Sequence, residues 1–303
     1  MFIERKVVRK ALPLVLCAAG LAACSPDAST SDELTVFATT GYLADAVHNL
    51  APDAHVITMV GPGQDPHTYQ PSTQDIQAIH DADVVLWNGL HLEAQMTDQL
   101  SSLGSKQLAV GDQLPEQMLL PWEDDLHDPH IWNNPKAWTL VVDEVADKLA
   151  ETDPEHAEDY HSRATDYTNK ISEAEQQAHE KLASVDNRVL VTGHDAFNYF
   201  GKTFDFEVRA TDFVSTEATL SASQLSELAD YIVEHKVHTV FLDSQSNPQA
   251  ITALTEAVKQ RGGEVKVSDA ELFADTLGAE APTDTYLGAF NHNIDAIAEG
   301  LSA

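Results

Sequence analysis

Short apolar runs alternate with helix-patterned stretches twice along this chain, and the run Glu155–Ser184, free of Gly and Pro, separates the two series. Strand-length runs interleaved with amphipathic helices have few stable solutions; the commonest is a parallel sheet covered by helices on its faces. The first series predicts strands at Leu34–Ala38, Ala54–Val60, Asp83–Trp87 and a short fourth at Leu108–Val110, with helices at Tyr42–Leu50 and Thr73–His80. The second predicts strands at Arg188–Thr192, Glu207–Ala210, Thr239–Leu242 and Glu264–Val267. Its helices are expected at Ala196–Lys202, Ser223–His235, Pro248–Arg261 and Thr285–Leu301. Between the series, Asn134-Pro135 and Asp153-Pro154-Glu155 both read as helix starts, a cap followed by Pro at the first helical position. The fold class expected is therefore α/β with two lobes, each a mostly parallel sheet with flanking helices. The N-terminal lobe covers 33–150, a long polar linking helix acts as a strut over 151–186, and the C-terminal lobe covers 187–303. Two such lobes leave a cleft, and open parallel sheets bind ligands beyond the carboxyl ends of their strands.

The N-terminus predicts an export signal. Arg5, Lys6, Arg9 and Lys10 precede an apolar run, Ala11–Ala23, that is well short of the ~20 residues a membrane span needs but fits a secretory signal. It ends Leu21-Ala22-Ala23-Cys24, which resembles a bacterial lipobox, with 1–23 removed and Cys24 lipidated; the polar stretch 24–32 then reads as a tether. The expected localisation is the extracytoplasmic face of the cell membrane, held by lipid on Cys24. Because the only two cysteines are Cys17 and Cys24, the mature domain has neither a disulfide nor a thiolate ligand, and any metal site must use His, Asp and Glu. Loss of the signal removes four basic residues and one acidic residue, which takes the formal charge from −32 to −35. Such a chain has no basic face for nucleic acid.

Three histidines stand out by position. His67 lies in Gly61-Pro62-Gly63-Gln64-Asp65-Pro66-His67, a punctuated loop after a predicted strand, with Pro66 fixing the chain before the imidazole. His130 repeats the tripeptide as Asp128-Pro129-His130, just ahead of the Asn134-Pro135 helix start. His194, the better placed, sits in Val191-Thr192-Gly193-His194-Asp195, at the carboxyl mouth of a predicted strand where ligand sites form; the plainer alternative is that it merely begins a helix capped by Asp195. The mature chain has no compact zinc motif, no phosphate-binding Gly-rich loop and no nucleophile elbow.

The chain resembles the bacterial zinc and manganese ABC-transporter solute-binding lipoproteins, the cluster A-I (cluster 9) family. The resemblance rests on six stretches in order: Gly61–Pro71, Asn88–Glu93, Asp128–Pro135, Val191–Gly201, Ser215–Ala218 and Glu271–Asp275. It implies four metal ligands, matching His67, His130, His194 and Asp275, two from each lobe; Asp275 is assigned by the resemblance alone. It further implies a monomeric, non-enzymatic protein that captures a divalent ion and delivers it to an ABC permease. Three imidazoles and one carboxylate favour Zn2+ over Mn2+, and manganese import is the alternative. Four protein ligands leave no open position for a zinc hydrolase, and a surface adhesin is a third reading. Asn134 stands where the family often has Asp. The segment Pro121–His127 is short, so no metal-gathering loop is expected there. His91 and His127 are read as bystanders, and Glu217 as a loop cap.

Overall fold

Strand β1 (Thr35–Ala38) is flanked by β2 (His55–Thr58) and β3 (Val84–Trp87), and β4 (Gln107–Ala109) adds beyond β3, all parallel, in the order β2-β1-β3-β4. The reversal of order between β2 and β3 places the switch point of the sheet at the end of β1. The four residues of β3 are all buried, as expected for a strand covered on both faces. Helix α1 (Gly41–Leu50) is started by Thr40 and buries Leu43, Ala46, Val47 and Leu50. In α2 (Thr73–Asp81), Ser72 and Asp75 form a reciprocal capping box. A short α3 (Thr97–Ser101) completes this half.

Helix α4 (Pro135–Thr152) starts where the sequence predicts, with Asn134 Oδ1 accepting from the Lys136 and Ala137 amides at 3.1 and 3.3 Å. A 3-10 turn at Pro154–His156 leads into α5 (Ala157–Leu182), which runs back along α4. The long helix runs between the lobes with one face embedded in both. Tyr160, Ala164, Tyr167 and Ile171 join the core of the first lobe, whereas Ala174, Ala178 and Leu182 join that of the second. Periodicity at three to four residues carries the buried stripe, and the remaining faces account for the polar composition. Its tyrosines are satisfied on burial, Tyr167 donating to Asp45 Oδ2 at 2.5 Å and Tyr160 to Asp153 Oδ2 at 2.6 Å.

The second half repeats the topology. Parallel pairs β5 (Val189–Thr192) with β6 (Glu207–Ala210), and β7 (Thr239–Val240) with β8 (Lys266–Val267), are tied together by the Phe241 amide donating to the Val191 carbonyl at 2.8 Å. Helices α6 (Asn198–Phe204), α7 (Ala222–Glu234), α8 (Pro248–Gln260) and α9 (Tyr286–Leu301) surround these strands. Helix α6 starts two residues later than expected and Asp195 does not cap it; residues 193–197 are spent on a turn that aims His194. β7 and β8 are shorter than expected: β7 stops at Val240, two residues early, and β8 begins at Lys266, two residues late.

The protein is described by a computed structural model over residues 33–302, apart from 123–124, 217–219 and 244–246; residues 33–303 form one compact unit. The signal at 1–23, Cys24, the tether and Glu217 lie outside the described residues. Among those described, no helix is long and apolar enough to cross a membrane.

Candidate metal centre

The repeated Asp-Pro-His tripeptide is a backbone device. In each copy the carboxylate accepts the amide of the histidine two residues on, Asp65 Oδ1 from His67 at 2.9 Å and Asp128 Oδ1 from His130 at 3.0 Å. This Asx turn, with Pro between, fixes the direction of the following imidazole. Gly63, at a φ of 72°, takes the left-handed turn that brings the His67 loop round, and its amide donates to Thr276 Oγ1 at 3.1 Å. His194 follows β5 directly, and its amide donates to Asp243 Oδ2 at 2.8 Å. Asp275 follows β8 on a segment held by Asn293, whose side-chain amide pairs with both the Phe273 N–H and its carbonyl.

These four side chains meet. Each offers one donor atom, and the four atoms lie within 4.8 Å of one another. His130 Nε2 is 3.2 Å from His67 Nε2 and 3.1 Å from His194 Nε2. Asp275 Oδ1 is 3.3 Å from His130 Nε2; its Oδ2 is 3.3 Å from His194 Nε2 and 3.8 Å from His67 Nε2. A tetrahedral ion with bonds of ~2.1 Å has ligand–ligand edges of about 3.4 Å, so these spacings bracket that geometry. His130, His194 and Asp275 are fully buried and His67 is 4% exposed. Neither Asp275 oxygen has a hydrogen-bond partner, and His194 Nδ1 has none either. Buried carboxylate oxygens without donors are uncommon and point to a cation between them and the rings.

Electrostatics separate the rings. Burial, reinforced by the neighbouring His130 and His194, pushes His67 down to about 3 despite the pull of Asp275. Burial also opposes a charge on His130, but the carboxylates of Asp128 and Asp275 outweigh it and push that ring up to about 10. His194 is raised, with Asp275 again overcoming burial. Burial alone would raise Asp275; the facing His194 and His130 hold it well below the usual carboxylate range.

Several supporting residues were not legible as such in the sequence. Asp128 is the foremost: beyond its turn, its Oδ1 lies 2.7 Å from His130 Nδ1, and its Oδ2 accepts from Asn198 across the cleft at 3.1 Å. The repeated tripeptide was the available signal. Glu93, fully buried, accepts from the Thr39 hydroxyl and the Asn88 and Gly89 amides at 2.6, 2.8 and 3.1 Å, and Asn88 Nδ2 donates to the Pro129 carbonyl beside His130 at 3.0 Å. The Asn88–Glu93 stretch is thus a buttress for the His130 loop. His91 is exposed, 6.4 Å ring to ring from Trp122, and His127 pairs with Glu116 at 3.0 Å; neither joins the four-residue cluster.

The sequence profile of the ZnuA family, described as zinc-uptake complex component A periplasmic, matches residues 36–300. The chain belongs to this family. Among relatives, the manganese-binding lipoprotein MntA of Bacillus subtilis is 34% identical over 291 residues, covering 93% of this chain and 95% of its own. The zinc-binding protein TroA of Treponema pallidum is 36% identical over 284 residues, covering 92% of each. The solved structure of periplasmic zinc-binding TroA from Treponema pallidum superposes with a TM-score of 0.86 at 36% identity, covering 89% of this chain and all of that one. As a ZnuA-family member the chain is a solute-binding component of a metal-uptake system and not an enzyme, and the α/β two-lobe fold is that of its relatives. The hydrolase alternative is thereby set aside.

Proposed function

We propose that His67, His130, His194 and Asp275 together hold one divalent transition-metal ion, with zinc favoured, and that the protein hands this ion to an ABC permease. The observation that carries the reading is the convergence of three Nε2 atoms and one carboxylate, from both lobes, within 4.8 Å in a buried site. Three neutral imidazoles make a nitrogen-rich set that suits zinc and ranks manganese lower in intrinsic affinity. Manganese is the second reading, and one feature favours it: both Asp275 oxygens are free, so a bidentate carboxylate would add a fifth, oxygen donor. The relative MntA is named for manganese and TroA for zinc, so relatives alone do not choose.

The test is elemental analysis of the purified protein after equilibration with equal zinc and manganese. One equivalent of zinc is expected; one equivalent of manganese would transfer the reading to that metal. His194→Ala and Asp275→Ala should each lose the ion, and unchanged metal content in both would overturn the ligand set. We further propose that lipid on Cys24 tethers a monomer at the extracytoplasmic face of the membrane, as the signal-like N-terminus and the lipoprotein name of MntA support. Cys24→Ala should move the protein from the membrane to the soluble extracytoplasmic fraction; retention at the membrane would refute the anchor.

A further inference from the structure

Asp275 is the least supported of the four side chains. No hydrogen bond reaches either of its oxygens, so its reach toward the three rings is set by its backbone alone. That backbone is gripped from the opposite lobe. The carbonyl of Ala274, the residue before it, accepts from the indole Nε1 of Trp132 at 2.7 Å and from the Tyr42 hydroxyl at 3.2 Å. All three residues are buried, Ala274 completely and Trp132 and Tyr42 at 2% and 3% exposure. Trp132 also lies two positions after His130. Its ring meets that imidazole edge to face at a centroid distance of 5.4 Å, and stacks on Tyr42 at 4.8 Å. Its own carbonyl accepts from the Tyr286 hydroxyl of α9 at 3.1 Å, so the residue is held from both lobes.

We infer that Trp132 is a positioning residue that couples the two halves of the metal centre: its ring seats His130 while its N–H sets the distance of Asp275. A carboxylate without hydrogen bonds is placed by the anchors of its segment. Beside Asn293 at Phe273 and Thr276 against Gly63, the Trp132 and Tyr42 bonds act on the peptide unit that joins Asp275 itself. A misplacement of a few tenths of an ångström exceeds what metal–oxygen bonds tolerate. The link also makes ligand assembly a property of the closed cleft. Any opening that breaks the Trp132–Ala274 bond withdraws Asp275 from His130 at once. This inference rests on the proposed four-residue ligand set.

Trp132→Phe tests it in the mature full-length domain, because Phe keeps an aromatic ring and removes the N–H. Trp138→Phe is the packing control: Trp138 is equally buried, but its Nε1 has no hydrogen-bond partner. Zinc affinity is read by chelator competition, and coordination by the visible absorption of the Co2+-loaded protein. Trp132→Phe should weaken zinc about 10- to 100-fold, the range for loss of an outer-sphere partner. It should also shift the Co2+ spectrum toward that of Asp275→Ala, while Trp138→Phe keeps the wild-type spectrum. Should Trp132→Phe fail to fold, Tyr42→Phe removes the second donor to the same carbonyl and should give the same spectral shift at smaller size. Wild-type affinity and spectrum in Trp132→Phe, or in Tyr42→Phe where only that variant folds, would overturn the inference. If Asp275→Ala itself keeps the wild-type Co2+ spectrum, it is the ligand set that fails.

Discussion

The two Asp-Pro-His copies share one turn but differ in everything beyond it. At Asp128-Pro129-His130 the carboxylate holds the ring as well as the backbone and is itself held by Asn198; the Asp128 carbonyl accepts from the Tyr199 hydroxyl at 2.9 Å. Asn133 Nδ2 adds a bond to the Ala196 carbonyl at 2.9 Å, so this segment is bound to the second lobe along its length. At Asp65-Pro66-His67 the second carboxylate oxygen takes the Thr216 hydroxyl at 2.5 Å, and the Gly63 amide donates to Thr276 of the same lobe. One motif therefore builds an imidazole with a carboxylate behind it, on a segment bonded to the second lobe at several described points, and an imidazole on a loop with fewer described bonds to that lobe. A carboxylate on Nδ1 fixes ring orientation and raises basicity, and Asp128 supplies one to His130.

Removing each ring should expose this asymmetry most strongly. A site worth about 10–16 kcal/mol over four ligands implies roughly 3 kcal/mol per ligand, so either alanine variant should weaken zinc on the order of 10²–10³-fold. Their stabilities should part. His130→Ala leaves the Asp128 carboxylate buried without its ring partner and should lower the unfolding free energy of the metal-free protein by about 3 kcal/mol. His67→Ala leaves Asp65 with its Thr216 bond intact and should cost under about 1 kcal/mol. Chemical denaturation of the two variants decides the matter, and equal losses would erase the distinction between fixed and loose copies.

Acidity should sharpen the same contrast. His130, pushed up to about 10, carries a proton at neutral pH that a metal must displace, and His194 is raised in the same direction, whereas His67, pushed down to about 3, is already neutral. Binding at pH 7 should therefore release at least one proton per ion, and affinity should fall at least about tenfold per unit of acidification near neutrality. In the metal-free protein the signs differ. The stability from His130 is fully present below ~6.5 and is lost as pH rises toward about 10. That tied to His67 is present above ~6.5 and is lost as pH falls toward about 3. Titration calorimetry in two buffers of different ionisation enthalpy counts the protons. His67→Ala should keep the wild-type count and His130→Ala should lower it; the reverse order would contradict the assignment.

How much of this was legible beforehand follows from what each feature depends on. The alternating runs specify the strands because burial pattern is local, and β6 (Glu207–Ala210) coincides with its expected span. The turn histidines were visible because Pro and Asx geometry acts within three residues. Asp275 was not, since one carboxylate is marked only by neighbours brought from elsewhere in the chain. Asp128 and Glu93 escaped for the same reason: a buried acid is distinguished from a surface acid by contacts such as Asn198 and Thr39, at sequence separations of 70 and 54. The polar surface of α5 concealed its buried stripe because one face serves two cores in succession.

The smallest effect concerns the lightly fastened copy. Thr216→Val removes the hydroxyl on Asp65 while keeping the shape of the side chain. The bond is part-buried and charge-assisted, so its loss should amount to about 1 kcal/mol, or roughly fivefold. Thr216 touches no ligand ring, so the change should fall on the rate at which zinc leaves for a chelator rather than on the bound geometry. Tyr199→Phe is the matching change on the fixed copy, because the Tyr199 hydroxyl donates to the Asp128 carbonyl and accepts the Leu120 amide at 3.0 Å. Those bonds lie inside a segment held at several other points, so their loss should reduce stability and leave the release rate within about twofold. Stopped-flow release from the two variants compares the faces of the cleft directly. Faster release from Thr216→Val alone assigns opening to the His67 loop, whereas faster release from Tyr199→Phe alone would place the yielding side at His130.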